Sequence, residues 1–174
     1  MGVPKETMGV RLAWAAALAL YAACWVLPIL EDAIGFDGAR FAHEEFWRLL
    51  TEGRPIDSVG DVFVVVFFAI GWLANELFLL GVATLLKWPR AAVRCLAFSL
   101  GIMVSWQIAF VEEFPLLIGY WFWVAAGAIM LWLAAARLAG QAGRGLGAVL
   151  AEPLTLALLL VPALNAAAAR ALAN

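Results

Sequence analysis

The chain has 174 residues, 66% of them hydrophobic and only 14% charged, with a formal net charge of −2. Soluble domains are typically about half apolar and a quarter charged, so this composition excludes an ordinary soluble domain and predicts a helical integral membrane protein with a single membrane domain. So small a net charge offers no footprint for a nucleic-acid partner.

Residues 10–30 are the first apolar run (RLAWAAALALYAACWVLPIL from Arg11 onward), long enough for a membrane span. The basic start and Tyr21-Ala22-Ala23-Cys24 also fit a lipoprotein signal with Cys24 acylated. The apolar run continues past Cys24, so a retained helix is the preferred reading. Ala15, Ala19 and Ala23 recur every fourth residue, a stripe that lets another helix come close.

Residues 31–61 form an acidic loop. Arg40, Arg48 and Arg54 stand against eight carboxylates, a net of −5. Inside it, 39–52 has helical spacing: Ala42, Phe46, Leu49 and Leu50 make an apolar stripe, and Glu44, Arg48 and Glu52 a charge ladder, stopped by Gly53 and Pro55. Such an amphipathic helix is expected along the membrane surface or capping the bundle. The lone histidine, His43, has Phe46 and Trp47 where a metal site would need ligands, so it reads as a solvated side chain and no metal is expected.

The central run, 62–86, carries Trp72, Asn75 and Glu76 in its middle. A charge there costs at least roughly 2.5 kcal/mol and needs a reason. Counted from the ends of their runs, Glu76 lies about 15 Å and Gln107 about 18 Å from the same side. Desolvation disfavours the carboxylate, so the spacing predicts a protonated Glu76 sharing a hydrogen bond with Gln107, with Asn75 and Ser105 close by. The functional alternative is a Glu76 that titrates or binds a cation.

Lys87, Arg90 and Arg94 follow, then a third span at 92–111, with an alternative start at Ala91 in which Arg94 reaches back to the interface. The acidic turn Glu112-Glu113-Phe114-Pro115 leads to a fourth span at 116–136. A glycine-rich connector with Arg137 and Arg144 leads to a less regular fifth at 148–169, interrupted by Glu152, Pro153, Pro162 and Asn165. Pro153 suits a helix's first turn, which would make Glu152 a boundary residue. The expected fold is therefore all-α: a helical bundle of four to five transmembrane helices plus one amphipathic surface helix.

With five spans, seven basic residues fall on the side of the N-terminus and four on the other. The positive-inside rule then puts the N-terminus in the cytoplasm and the acidic loop outside, in a bacterial cytoplasmic membrane. Cys24 and Cys95 fall toward opposite sides, so no disulfide is expected. Trp25, Phe114, Tyr120, Trp121 and Trp123 fall toward the outer interface, Trp88 and Trp132 toward the inner one, as aromatic belts.

Trp72-Leu73-Ala74-Asn75 in the second span and Gly119-Tyr120-Trp121-Phe122-Trp123 opening the fourth resemble a recurrent type of small bacterial polytopic membrane protein. Those proteins have an outward loop ending in a short helix, a Trp-x-Ala-Asn-like element in the next span and a Gly-Tyr-Tyr-x-Trp-like element later. The resemblance covers roughly 12–136. It implies an architecture and no particular activity. In that type the Asn is usually followed by Pro, where this chain has Glu76, and the fifth span is an addition.

No metal-ligand spacing, phosphate loop or haem pair of histidines is present, and Ser99 and Ser105 have no histidine on a span to activate them, so no catalytic residue, cofactor or enzyme activity is expected. Two classes remain. One is an accessory, assembly or partner-binding subunit of a membrane complex, in contact with the lipid bilayer and with other subunits or its own copies. The other is a small oligomeric channel or proton-coupled transporter using Glu76. For the first class, Glu44, Glu45, Asp57, Asp61, Glu112 and Glu113 are candidate outer docking residues for a basic partner or divalent cations.

Overall fold

The computed structural model describes residues 8–30, 33–53, 58–110 and 117–173. These form an all-α bundle with one small hairpin. Helix α1 is Met8–Cys24, strands β1 (Pro28–Leu30) and β2 (Ala33–Ile34) pair antiparallel, and α2 is Gly35–Thr51. Then come α3 (Val59–Gly71), α4 (Leu73–Thr84), α5 (Pro89–Phe110), α6 (Ile118–Ala142), the single-turn α7 (Leu146–Leu150) and α8 (Pro153–Ala173).

Four stretches are long and apolar enough to cross a membrane: Val59–Thr84, which joins α3 and α4, Pro89–Ala109, Ile118–Ala142 and Pro153–Leu172. The fifth apolar segment, expected at 148–169, is divided: 148–150 belong to α7, and the rest is a long helix. It begins at Pro153, where the missing N–H leaves no bond unmade, and Glu152 stands just outside it, paired with Arg144. Helix α1 is shorter, 17 residues, about 25 Å of rise.

The first expected span, 10–30, is overestimated at its end. The chain leaves the helix after Cys24 because Pro28 has no N–H to continue it, and residues from 28 enter the hairpin. Gly35 then returns so close to the Cys24 carbonyl that any side chain would collide with it. The amphipathic helix starts earlier than 39, since the Asp37 carboxylate accepts from the backbone N–H of Ile34 at 3.2 Å and caps it. Its ion pairs also differ from the expected ladder: Arg40 joins Glu44 at 2.7 Å and Arg48 joins Glu45 at 2.6 Å.

Helix α5 lies at the centre, packed on α4, α6 and α8, while α1 leans on α6 and α3 on α8. Two contacts set the threading. The Leu117 N–H donates to the Ile29 carbonyl at 2.9 Å, so the hairpin and the start of α6 share one end of the bundle. Arg137 on α6 donates to the Leu86 carbonyl at 3.2 Å, so the end of α6 and the α4–α5 turn share the other. Arg170 does the same at the first end, donating to the Ile108 carbonyl at 3.3 Å. Each guanidinium thus meets carbonyls left over at a neighbouring helix's C-terminus, where the helix dipole favours a cation.

Small residues and freed carbonyls shape the α5–α8 contact. Pro162, inside α8, cannot donate to the Leu158 carbonyl. Gly101 sits against that place: a Cβ on it would lie 2.7 Å from the Leu158 oxygen and 2.6 Å from the Leu159 oxygen. The absence of a side chain lets a Cα–H face the Leu158 carbonyl, which the proline leaves without its helical donor, and the Leu159 carbonyl beside it.

Candidate functional site

The central run is one span with a single irregular residue, Trp72, between α3 and α4, whose backbone stays right-handed helical at φ −65° and ψ −26°. Gly71, the weakest helix former short of proline, precedes it, and its bare Cα faces the Trp106 indole. The halves answer to different neighbours: α3 packs on α2 and α8, α4 on α5. Trp72 turns toward α2, its ring 4.7 Å from Phe46 and 6.2 Å from His43, and Phe41 lies 6.3 Å from Phe68. The apolar face of the amphipathic helix therefore covers Trp72. His43 is occupied locally, its Nε2 accepting from Trp47 Nε1 at 2.8 Å.

Just past Trp72, the backbone of α4 is tied to α5 by Ser99 Oγ, which donates to the Ala74 carbonyl at 2.7 Å. Asn75 is the next residue and the polar centre of the bundle. Its Oδ1 accepts from Trp123 Nε1 on α6 at 3.1 Å and from the Tyr21 hydroxyl on α1 at 3.3 Å. An indole N–H can only donate, so the amide oxygen must face Trp123. Tyr21 is held flat on Phe78, centroids 4.2 Å apart, with Trp25 edge-on at 6.0 Å. Three helices that are far apart in sequence thus converge on one side-chain oxygen.

The Trp72–Asn75 and Gly119–Trp123 elements are joined by this bond. At the second, Gly119 lies under the hairpin, where a Cβ would come within 2.7 Å of the Leu27 carbonyl. Tyr120 is buried and donates to the Met103 carbonyl at 2.8 Å. Tyr120 and Trp123 are therefore interior bonding groups, unlike the belt expected from position alone. Trp121, Trp88 and Trp132 do face outward, at 51%, 63% and 48% exposed.

Glu76 departs from expectation. Neighbours on a helix are about 100° apart, so the bonds that turn Asn75 inward turn Glu76 out, and its side chain is exposed. It makes no hydrogen bond or ion pair among the described residues. The expected Glu76–Gln107 pair is not formed, and the Gln107 amide oxygen is buried with no hydrogen-bond partner among them. The level of Ser99 beside Ala74 explains this: Gln107 is eight residues, about 12 Å, further along α5. Ser105 instead bonds locally to the Ile102 carbonyl at 2.6 Å.

Of the outer acidic residues, Glu44 and Glu45 carry the ion pairs of α2. Asp61 caps α3, its carboxylate accepting from the Ser58 N–H at 2.9 Å. Asp57, Glu112 and Glu113 lie outside the described residues. Among those described, no three metal-ligating side chains come together. Cys24 and Cys95 are free, and the Cys24 thiol is buried, donating to the Tyr21 carbonyl at 2.9 Å.

Fold and site together define a class: an all-α bundle with four helices long and apolar enough to cross a membrane, tied at one half-buried amide. Comparison with protein families, curated proteins and solved structures finds no match.

Proposed function

We propose that the chain is a non-catalytic, partner-binding subunit of a membrane complex, lodged in a bacterial cytoplasmic membrane with the N-terminus inside and the acidic loop outside. One observation carries the reading. The carboxylate of Glu76 faces away from its own bundle, in the middle of an apolar run, with no group of the described chain to receive it. A carboxylate facing lipid costs roughly 2.5–3.5 kcal/mol, and a neighbouring subunit removes that cost.

The interior supports the same reading. Asn75, Ser99, Tyr120 and Asn165 are each engaged in bonds that tie helices to one another. They hold a shape, and the outward carboxylate takes no part in it.

The test is the native mass of the protein extracted gently from its own membrane. A complex with at least one other polypeptide is the expected result, and a lone monomer refutes the proposal. A closed ring of identical chains would favour the second reading, a channel or proton-coupled transporter with Glu76 lining the path.

A further inference from the structure

We infer that the outward face of α4 seats a transmembrane helix of a different protein, one that carries a lysine or arginine near mid-span. The inference rests on the partner-binding reading and adds the place and chemistry of the contact.

Glu76, Leu79, Leu80 and Ala83 recur at i, i+3, i+4 and i+7, so they form one stripe along the helix, and all four are exposed. Leu79 and Leu80 are 54% and 50% exposed. The other side of α4 is closed, with Ala74, Phe78 and Gly81 buried. The stripe is apolar except for Glu76, and Ala83 leaves room for close approach one turn beyond the leucines. Hydrocarbon satisfies the leucines and not the carboxylate. A helix with an apolar face and one cation satisfies both, and opposite charges attract more strongly in a medium of low dielectric.

A second copy of this chain fits less well. A two-fold contact through the stripe places Glu76 beside its own equivalent, carboxylate against carboxylate. The chain's own cations lie nearer the helix ends. Lys87 and Arg90 flank the α4–α5 turn, and Arg137 and Arg170 are bonded to helix-terminal carbonyls. Arg94, the nearest in depth, is about one turn closer to the membrane edge, where a long side chain reaches the headgroups.

The experiment uses the purified full-length chain in lipid nanodiscs with synthetic single-span leucine-alanine helices whose central residue is Lys, Leu or Glu. The peptides lack tryptophan and carry an acceptor dye, so binding is read as energy transfer from the chain's tryptophans. The Lys helix should bind the wild type at least tenfold more tightly than the Leu helix. That preference should vanish in Glu76→Gln and pass to the Glu helix in Glu76→Lys. Equal binding of the Lys and Leu helices to the wild type overturns the inference, as does a preference that survives Glu76→Gln. If the preference is absent while a heteromeric complex is still recovered from native membranes, the inference fails and the partner-binding reading stands.

Discussion

Replacing Asn75 by leucine removes the one acceptor shared by α1, α4 and α6 while keeping the side chain's bulk. Two hydrogen bonds disappear, from Trp123 at 3.1 Å and from Tyr21 at 3.3 Å. Bonds between helices in bilayers average about 0.6 kcal/mol and reach about 1.7, so the pair contributes about 1–3 kcal/mol. Most of the loss should come through Trp123. Its N–H is fixed in the ring plane and cannot turn to another acceptor, whereas the Tyr21 hydroxyl can rotate. Reversible unfolding in mixed detergent micelles, followed by far-UV circular dichroism, measures the change. Double-mutant cycles then divide it. Asn75→Leu with Trp123→Phe should show a coupling of at least about 0.6 kcal/mol, and Asn75→Leu with Tyr21→Phe a smaller one, since phenylalanine keeps the stack on Phe78. An Asn75→Leu protein as stable as the wild type, or zero coupling to Trp123, would refute the hub.

Three further outcomes follow from the same geometry. Gly101→Ala drives a methyl into the Leu158 and Leu159 carbonyls and should destabilise by about 1–3 kcal/mol in the same unfolding assay, whereas Gly140→Ala, with open space around it, should not. Glu76→Gln and Glu76→Leu should leave the stability of the isolated chain within about 0.5 kcal/mol of wild type, because Glu76 supports no internal bond; a larger loss would reveal an internal partner. For orientation, cysteines introduced near Asp37 should react with an impermeant reagent added to intact cells while Cys95 does not, and the reverse pattern would invert the proposed threading.

Much of the bundle was legible in the sequence because the bilayer imposes its own periodicity. Apolar runs of about 20 residues must be helical, since every backbone group has to be satisfied within the segment, and Pro89, Pro153 and the glycines after α6 mark where such runs begin and stop. The amphipathic α2 was visible for the same reason, through spacing alone, and Trp72, Asn75 and Glu76 stood out as polar or bulky groups in an apolar run. The resemblance also singled out the Trp72–Asn75 and Gly119–Trp123 elements before anything showed that they touch.

Tertiary structure decided how those residues are used. Hydropathy does not show the irregular residue at Trp72, where the two halves of the span pack on different neighbours and α2 lies against the indole. Depth counted along the chain misjudged the partner of Glu76, since a few residues of offset at helix ends move a side chain by several ångströms, and only the Ser99–Ala74 bond sets the register. The rotation of α4 mattered most. Asn75 and Glu76 are adjacent in sequence, and either could have faced inward. Asn75 won because its oxygen satisfies donors that two other helices bring to it, and that choice left the carboxylate on the outside.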